Sequence, residues 1–108
     1  MEYIDGAYID IYLTENGTVK RTAVDEILYI TRENRRTSIV TRADRLSSTE
    51  SYDALIARLP ALFFYSVHKS FFVNLHYVDT YTYKELVLSD GTHIPVAPRR
   101  QEAFHNFW

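Results

Sequence analysis

Four histidines, His68, His76, His93 and His105, are the side chains in this sequence best suited to proton transfer or metal ligation. No two stand at the i, i+4 spacing that sets two imidazoles on one helix face, and there is no cysteine, so no zinc site is indicated. Ser70 lies close to His68, but no acid is placed to complete a nucleophilic triad. Asp25-Glu26 suits a helix start better than a general acid/base pair. Gly6, Gly17 and Gly91 each stand alone, so no glycine-rich loop exists to cradle a phosphate. The expectation is therefore no enzyme, no metal and no cofactor. Positive charge is the more useful signal. Residues 31–45 carry Arg32, Arg35, Arg36, Arg42 and Arg45 against Glu33 and Asp44, a net of +3. Such a patch is either a polyanion footprint or a solvated charged hairpin.

The body that must carry this patch is a single small domain, 1–108, because 108 residues lie in the usual range for one core. Apolar residues make up 46% and charged residues 24%, a globular balance that excludes disorder. The net charge is −2, yet Glu2, Asp5, Asp10 and Glu15 fall in the first 15 residues, which hold no base. Residues 16–108 are left with 12 bases against 10 acids. No apolar run approaches the ~18–20 residues of a membrane helix, and the acidic start is unlike a signal peptide. A cytoplasmic protein with no membrane partner is expected. Nine Tyr and six Phe against three Gly favour strands.

The elements follow from periodicity. Ala7–Thr14 alternates Ile9, Ile11 and Leu13 with Tyr8, Asp10 and Tyr12, the period of a half-buried strand. Asn16-Gly17 signals a two-residue hairpin turn returning through Thr18–Thr22. A short helical turn at 23–26 then feeds a strand over Ile27–Arg32, a turn at Asn34-Arg35, a strand over Thr37–Thr41 and a third over Arg45–Thr49. Tyr52, Leu55, Ile56 and Leu59 make one apolar stripe on a helix over Ser51–Leu59, capped by Ser51 or Ser48 and stopped by Pro60. Strands over Phe63–Val67 and Phe71–Asn74 flank His68-Lys69-Ser70. Val78–Tyr83, Leu86–Leu88 and His93–Ala97 form a meander with turns at Lys84-Glu85 and Asp90-Gly91. Pro98 opens a C-terminal helix with Ala103, Phe104 and Phe107 as its apolar side.

The segment Phe64-Tyr65-Ser66-Val67-His68-Lys69-Ser70-Phe71-Phe72-Val73-Asn74-Leu75 resembles the signature of the LytTR family of bacterial DNA-binding domains, an aromatic strand running into His-Arg-Ser, an aromatic and Val-Asn. Val24–Ile30 is similar to the family's strand before its polar hairpin. Leu86–Gly91 with His93–Val96 is similar to its closing hairpin, so the resemblance covers roughly residues 7–107. It implies a mostly β fold, with small antiparallel sheets in an elongated arrangement, one packed helix and a short C-terminal helix. It also implies that loops, not a recognition helix, face double-stranded DNA. Those loops are the hairpin after Ile30, the turn at His68-Lys69 and the segment after Val96. They hold Arg35 and Arg36, His68 and Lys69, and Arg99 and Arg100. Lys69 stands where the family's triplet has arginine, which keeps the charge but loses the planar fork and favours phosphate over base contact. Family behaviour implies a bacterial transcription regulator of the two-component response-regulator kind. Two copies would bind promoter direct repeats as a dimer on DNA. An upstream receiver domain would belong to the whole regulator, unless the chain is a stand-alone type.

Each residue also has a plainer role. His68 suits a buried histidine bonded to backbone, and Ser70 and Asn74 suit turn-fixing side chains. Phe71, Phe72 and Val73 suit the core, and Arg32, Arg42 and Arg45 suit solvated strand edges. Phe107 and Trp108 suit packing of the last helix or a partner contact. The competing function is a β-rich protein-interaction module, to which the net charge and Tyr8, Tyr12, Tyr81 and Tyr83 point.

Overall fold

Asn16 and Gly17 (φ 51° and 65°) and Asn34 and Arg35 (φ 50° and 66°) turn the chain back on itself in the left-handed region. In the computed structural model, which describes residues 7–59 and 63–107, these turns close the first two hairpins. β1 (Tyr8–Tyr12) pairs antiparallel with β2 (Val19–Ala23) as a two-stranded sheet. The connection is longer than the two residues expected. Leu13 N–H still donates to the Thr18 carbonyl at 2.9 Å, and Thr18 N–H donates to that of Glu15 at 3.0 Å.

A single 3₁₀ turn over Val24–Glu26 leads into β3 (Ile27–Glu33), β4 (Arg36–Thr41) and β5 (Arg45–Ser48). Glu33 pairs directly with Arg36, which leaves Asn34-Arg35 as a two-residue loop with both φ positive, the type I′ geometry that matches strand twist. β6 (Phe64–His68) and β7 (Phe71–Asn74) complete a five-stranded sheet in the order β5-β4-β3-β7-β6. β8 (Val78–Tyr81), β9 (Glu85–Leu88) and β10 (His93–Pro95) form a three-stranded meander. β8 ends two residues earlier than its composition suggests. The Thr82 hydroxyl accepts from the N–H groups of Lys84 and Glu85 at 3.2 Å and folds the chain into a turn. β10 also stops short of Ala97, whose N–H leaves the meander for the Val67 carbonyl at 2.9 Å.

α1 covers Tyr52–Arg58, and Ser51 is its cap: its hydroxyl accepts from Ala54 N–H at 3.1 Å. Ser48 serves elsewhere, donating to the Tyr12 carbonyl at 2.8 Å and holding β1 beside β5. Pro60, expected to stop this helix, lies outside the described residues, as does Trp108. At the C-terminus Pro98 opens a 3₁₀ turn (Pro98–Arg100) before α2 (Gln101–Phe107). Of the expected apolar side of α2 only Phe104 is buried. Ala103 is exposed, and Phe107 stacks on Tyr65 with centroids 4.7 Å apart while remaining 59% exposed.

The five-stranded sheet divides two cores. One joins Ile27, Ile30, Ile39 and Phe72 to Ile9 and Ile11 of β1 and to Tyr52, Leu55 and Leu59 at α1. The other joins Leu28, Tyr29, Val67 and Val73 to Leu86, Leu88, Ile94 and Val96 of the meander side and to Phe104. Strict alternation would separate Leu28 from Tyr29. The β3–β4 register shift between Ile27 and Tyr29 is a bulge that lets both join the second core.

Candidate nucleic-acid interface

β3 and β7 run antiparallel with Thr31 opposite Phe71, so the turn leaving β3 and the turn entering β7 sit at the same end of the sheet. Beyond the last ladder pair, Arg32 N–H donates to the Ser70 carbonyl at 3.1 Å. The Arg32 guanidinium donates to the Lys69 carbonyl at 3.4 Å, lies 4.7 Å from the centre of the Tyr52 ring and stands 3.7 Å from the Asp53 carboxylate. The C-terminal segment joins the same end through Ala97 on Val67 and Arg100 on Ser66. Three segments distant in sequence are thereby gathered together: the Asn34-Arg35 turn, the His68–Ser70 turn and Ala97–Arg100.

The six residues carried onto these loops divide by their partners. Arg35, Arg36, Lys69 and Arg99 are exposed, and among the described residues none of the four has a side-chain hydrogen bond or ion pair. Arg35 holds a left-handed conformation that favours glycine, a small stored cost at the tip of the hairpin. Arg100 is only partly exposed; it donates to the Ser66 carbonyl at 2.9 Å and to the Ser66 hydroxyl at 2.6 Å. His68 Nδ1 accepts from Ser70 N–H at 3.1 Å, which places the ring proton on Nε2 in the neutral form. Burial holds the His68 imidazole below its usual pKa, and the charges of Lys69 and Arg100 act in the same direction. The ring also meets Phe71 edge-on at 5.6 Å. The plainer role for His68 is thus met in part: its ring is bonded to backbone through Nδ1, but it is only partly buried.

Beneath the loops, burial raises the Tyr52 hydroxyl to about 12, with Arg32 and then Arg100 opposing the rise, so both guanidiniums lie within electrostatic range of one ring. Arg32 is the residue that composition undervalued. It stood in the basic run as an edge residue, and only the pairing of β3 with β7 brings it to the Lys69 carbonyl. Arg45, from the same run, pairs with Glu33 at 3.4 Å on the surface. Ser66 lies within the Phe64–Leu75 segment, but nothing there marks it as the partner of Arg100.

No helix among the described residues is long and apolar enough to cross a membrane, and no group of His, Asp and Glu among them is placed to hold a metal ion. A family model for the LytTr DNA-binding domain matches residues 17–108. A solved LytTr DNA-binding domain from Bacillus cereus shares the fold with a TM-score of 0.76 at 17% identity, over 93% of this chain and 94% of that one. No curated protein matches the sequence. That family match, over most of the chain, defines a nucleic-acid-binding module. The chain belongs to the LytTr DNA-binding domain family and is a DNA-binding domain.

Proposed function

We propose that this domain, taken as the single unit 1–108, recognises specific sequences in duplex DNA for a bacterial, cytoplasmic transcription regulator of the response-regulator kind. The observation that carries this reading is the set of four exposed cations without partners among the described residues, Arg35, Arg36, Lys69 and Arg99, on loops at one end of the sheet. Phosphate contacts set the register of such a module, and base-edge contacts specify the sequence. Lys69 is a flexible point charge suited to phosphate, whereas Arg36 and Arg99 have the planar fork that pairs with guanine O6 and N7. Two copies on promoter direct repeats, in a regulator that includes a receiver domain, complete the reading.

The test is fluorescence anisotropy with a 30-base-pair duplex selected by the protein from a random library, beside an unselected duplex of equal length. Binding to the selected duplex should be at least a hundredfold tighter. Its log–log salt dependence should have a slope of about −3 to −4 per domain, at roughly −0.9 per phosphate neutralised. Equal affinity for both duplexes would refute sequence recognition.

A further inference from the structure

β6 is an edge strand of the five-stranded sheet, so its outward carbonyls need donors from outside the ladder. Its pairing with β7 also slips between Ser66 and His68. Both carbonyls in this bulged stretch are taken by the C-terminal segment: Val67 accepts from Ala97 N–H at 2.9 Å, and Ser66 accepts from the Arg100 guanidinium at 2.9 Å. The same guanidinium nitrogen donates to the Ser66 hydroxyl at 2.6 Å, and that hydroxyl lies 3.4 Å from the His68 carbonyl as its donor. A continuous path therefore runs from Arg100 through Ser66 to the first residue of the His68–Ser70 turn. Arg100 N–H closes the other side by donating to the Ala97 carbonyl at 2.8 Å.

We propose that Arg100 is a positioning residue rather than a DNA ligand: it locks Ala97–Arg100 onto the bulged end of β6 and so fixes Arg99 relative to Lys69. Its neighbour Arg99 is exposed and has no side-chain partner among the described residues, whereas Arg100 would have to break two bonds to turn toward a phosphate. The two adjacent arginines, equivalent in sequence, thus have different work. The inference rests on the loop reading above, since it concerns where the loop cations are held.

The test uses the selected duplex with Arg100→Met, which keeps the stem and removes the donors, Ser66→Ala, which keeps the charge and removes one acceptor, and the double variant. Arg100→Met should weaken binding about tenfold, the scale of one charge-assisted hydrogen bond, with the salt slope unchanged. Ser66→Ala should weaken binding less, and the double variant should lose no more than Arg100→Met alone. A slope shallower by about 0.9, additive losses, or undiminished binding would each overturn the assignment. Should Arg100→Met fail to fold, Ser66→Ala decides, because it must weaken binding at constant slope. Amide NMR shifts of the free protein separate this inference from the DNA reading. Ser66→Ala must move the Lys69 and Arg99 amides even if the wild type binds no duplex, and unmoved amides would overturn the clamp whatever the DNA result.

Discussion

Asn74 and Ile27, 47 residues apart in sequence, are joined by a hydrogen bond of 3.0 Å from the Asn74 side-chain amide to the Ile27 carbonyl. The Asn74 side-chain oxygen accepts from His76 N–H, also at 3.0 Å. One buried amide, 3% exposed, thereby ties the start of β3 to the 3₁₀ turn that ends β7 (Leu75–Tyr77). Asn74→Ala should leave a carbonyl and an N–H without partners, costing about 1–3 kcal/mol. For a domain of this size that lowers Tm by about 4–8 °C per kcal/mol. The folded fraction should bind duplex DNA normally, because the cationic loops lie at the other end of β3 and β7. Thermal melts and anisotropy titrations on one preparation check both halves, and lost binding at an unchanged Tm would place Asn74 at the DNA.

The loop cations should separate by kind. Arg36→Ala and Arg99→Ala should each reduce the preference for selected over random duplex by about 1–3 kcal/mol, the value of a bidentate base contact. Lys69→Ala should weaken both duplexes alike and make the salt slope shallower by about 0.9. Competition titrations at two salt concentrations read out both effects. A uniform loss for all three would make the arginines phosphate ligands.

Which of these side chains the fold leaves exposed and which it engages was only partly legible in the sequence. Local chemistry was legible: Asn34-Arg35 as a turn, Ser51 ahead of an apolar stripe, and the alternation of β1 all report short-range preferences that the fold keeps. Features set by distant pairing were not. The bulge that sends both Leu28 and Tyr29 into one core depends on how β3 meets β4. Arg99 and Arg100 are chemically identical until a 3₁₀ turn points the second at Ser66, which nothing in the Phe64–Leu75 segment marks as its partner. Arg32 likewise gained its place at the Lys69 carbonyl only from the register of β3 on β7.

His68 should make stability depend on pH. Its native pKa lies below the ordinary 6.5, because burial and the nearby charges of Lys69 and Arg100 disfavour the imidazolium, and protonation would also end acceptance from Ser70 N–H. Above 6.5 both native and unfolded forms are neutral, and this residue adds no pH dependence. As pH falls through 6.5 the unfolded chain takes up a proton that native His68 resists, so stability declines and then levels off below the native pKa. His68→Asn supplies a comparable acceptor without the titration. Between about pH 7 and pH 5, the wild-type Tm should fall more than that of the variant. Parallel curves would show that His68 titrates normally.

Arg35 sets stability against binding at a single position. Its φ of 66° costs an arginine roughly 1–2 kcal/mol that glycine avoids, and the type I′ loop it occupies prefers glycine at its second place. Glycine returns part of that gain through the greater entropy of the unfolded chain. Arg35→Gly should therefore raise Tm by a few degrees, for a net gain of about 0.5–1 kcal/mol. It should also weaken DNA binding, because the substitution removes an exposed cation at the tip of the hairpin. Arg35→Ala separates the two effects: it removes the same charge but keeps a Cβ in the left-handed region, so it should lose the same affinity without the gain in Tm. Paired melts and salt titrations on both variants decide the matter. If Arg35→Gly gains stability and keeps full affinity, the hairpin tip does not touch DNA, and the contact from this loop falls to Arg36 alone.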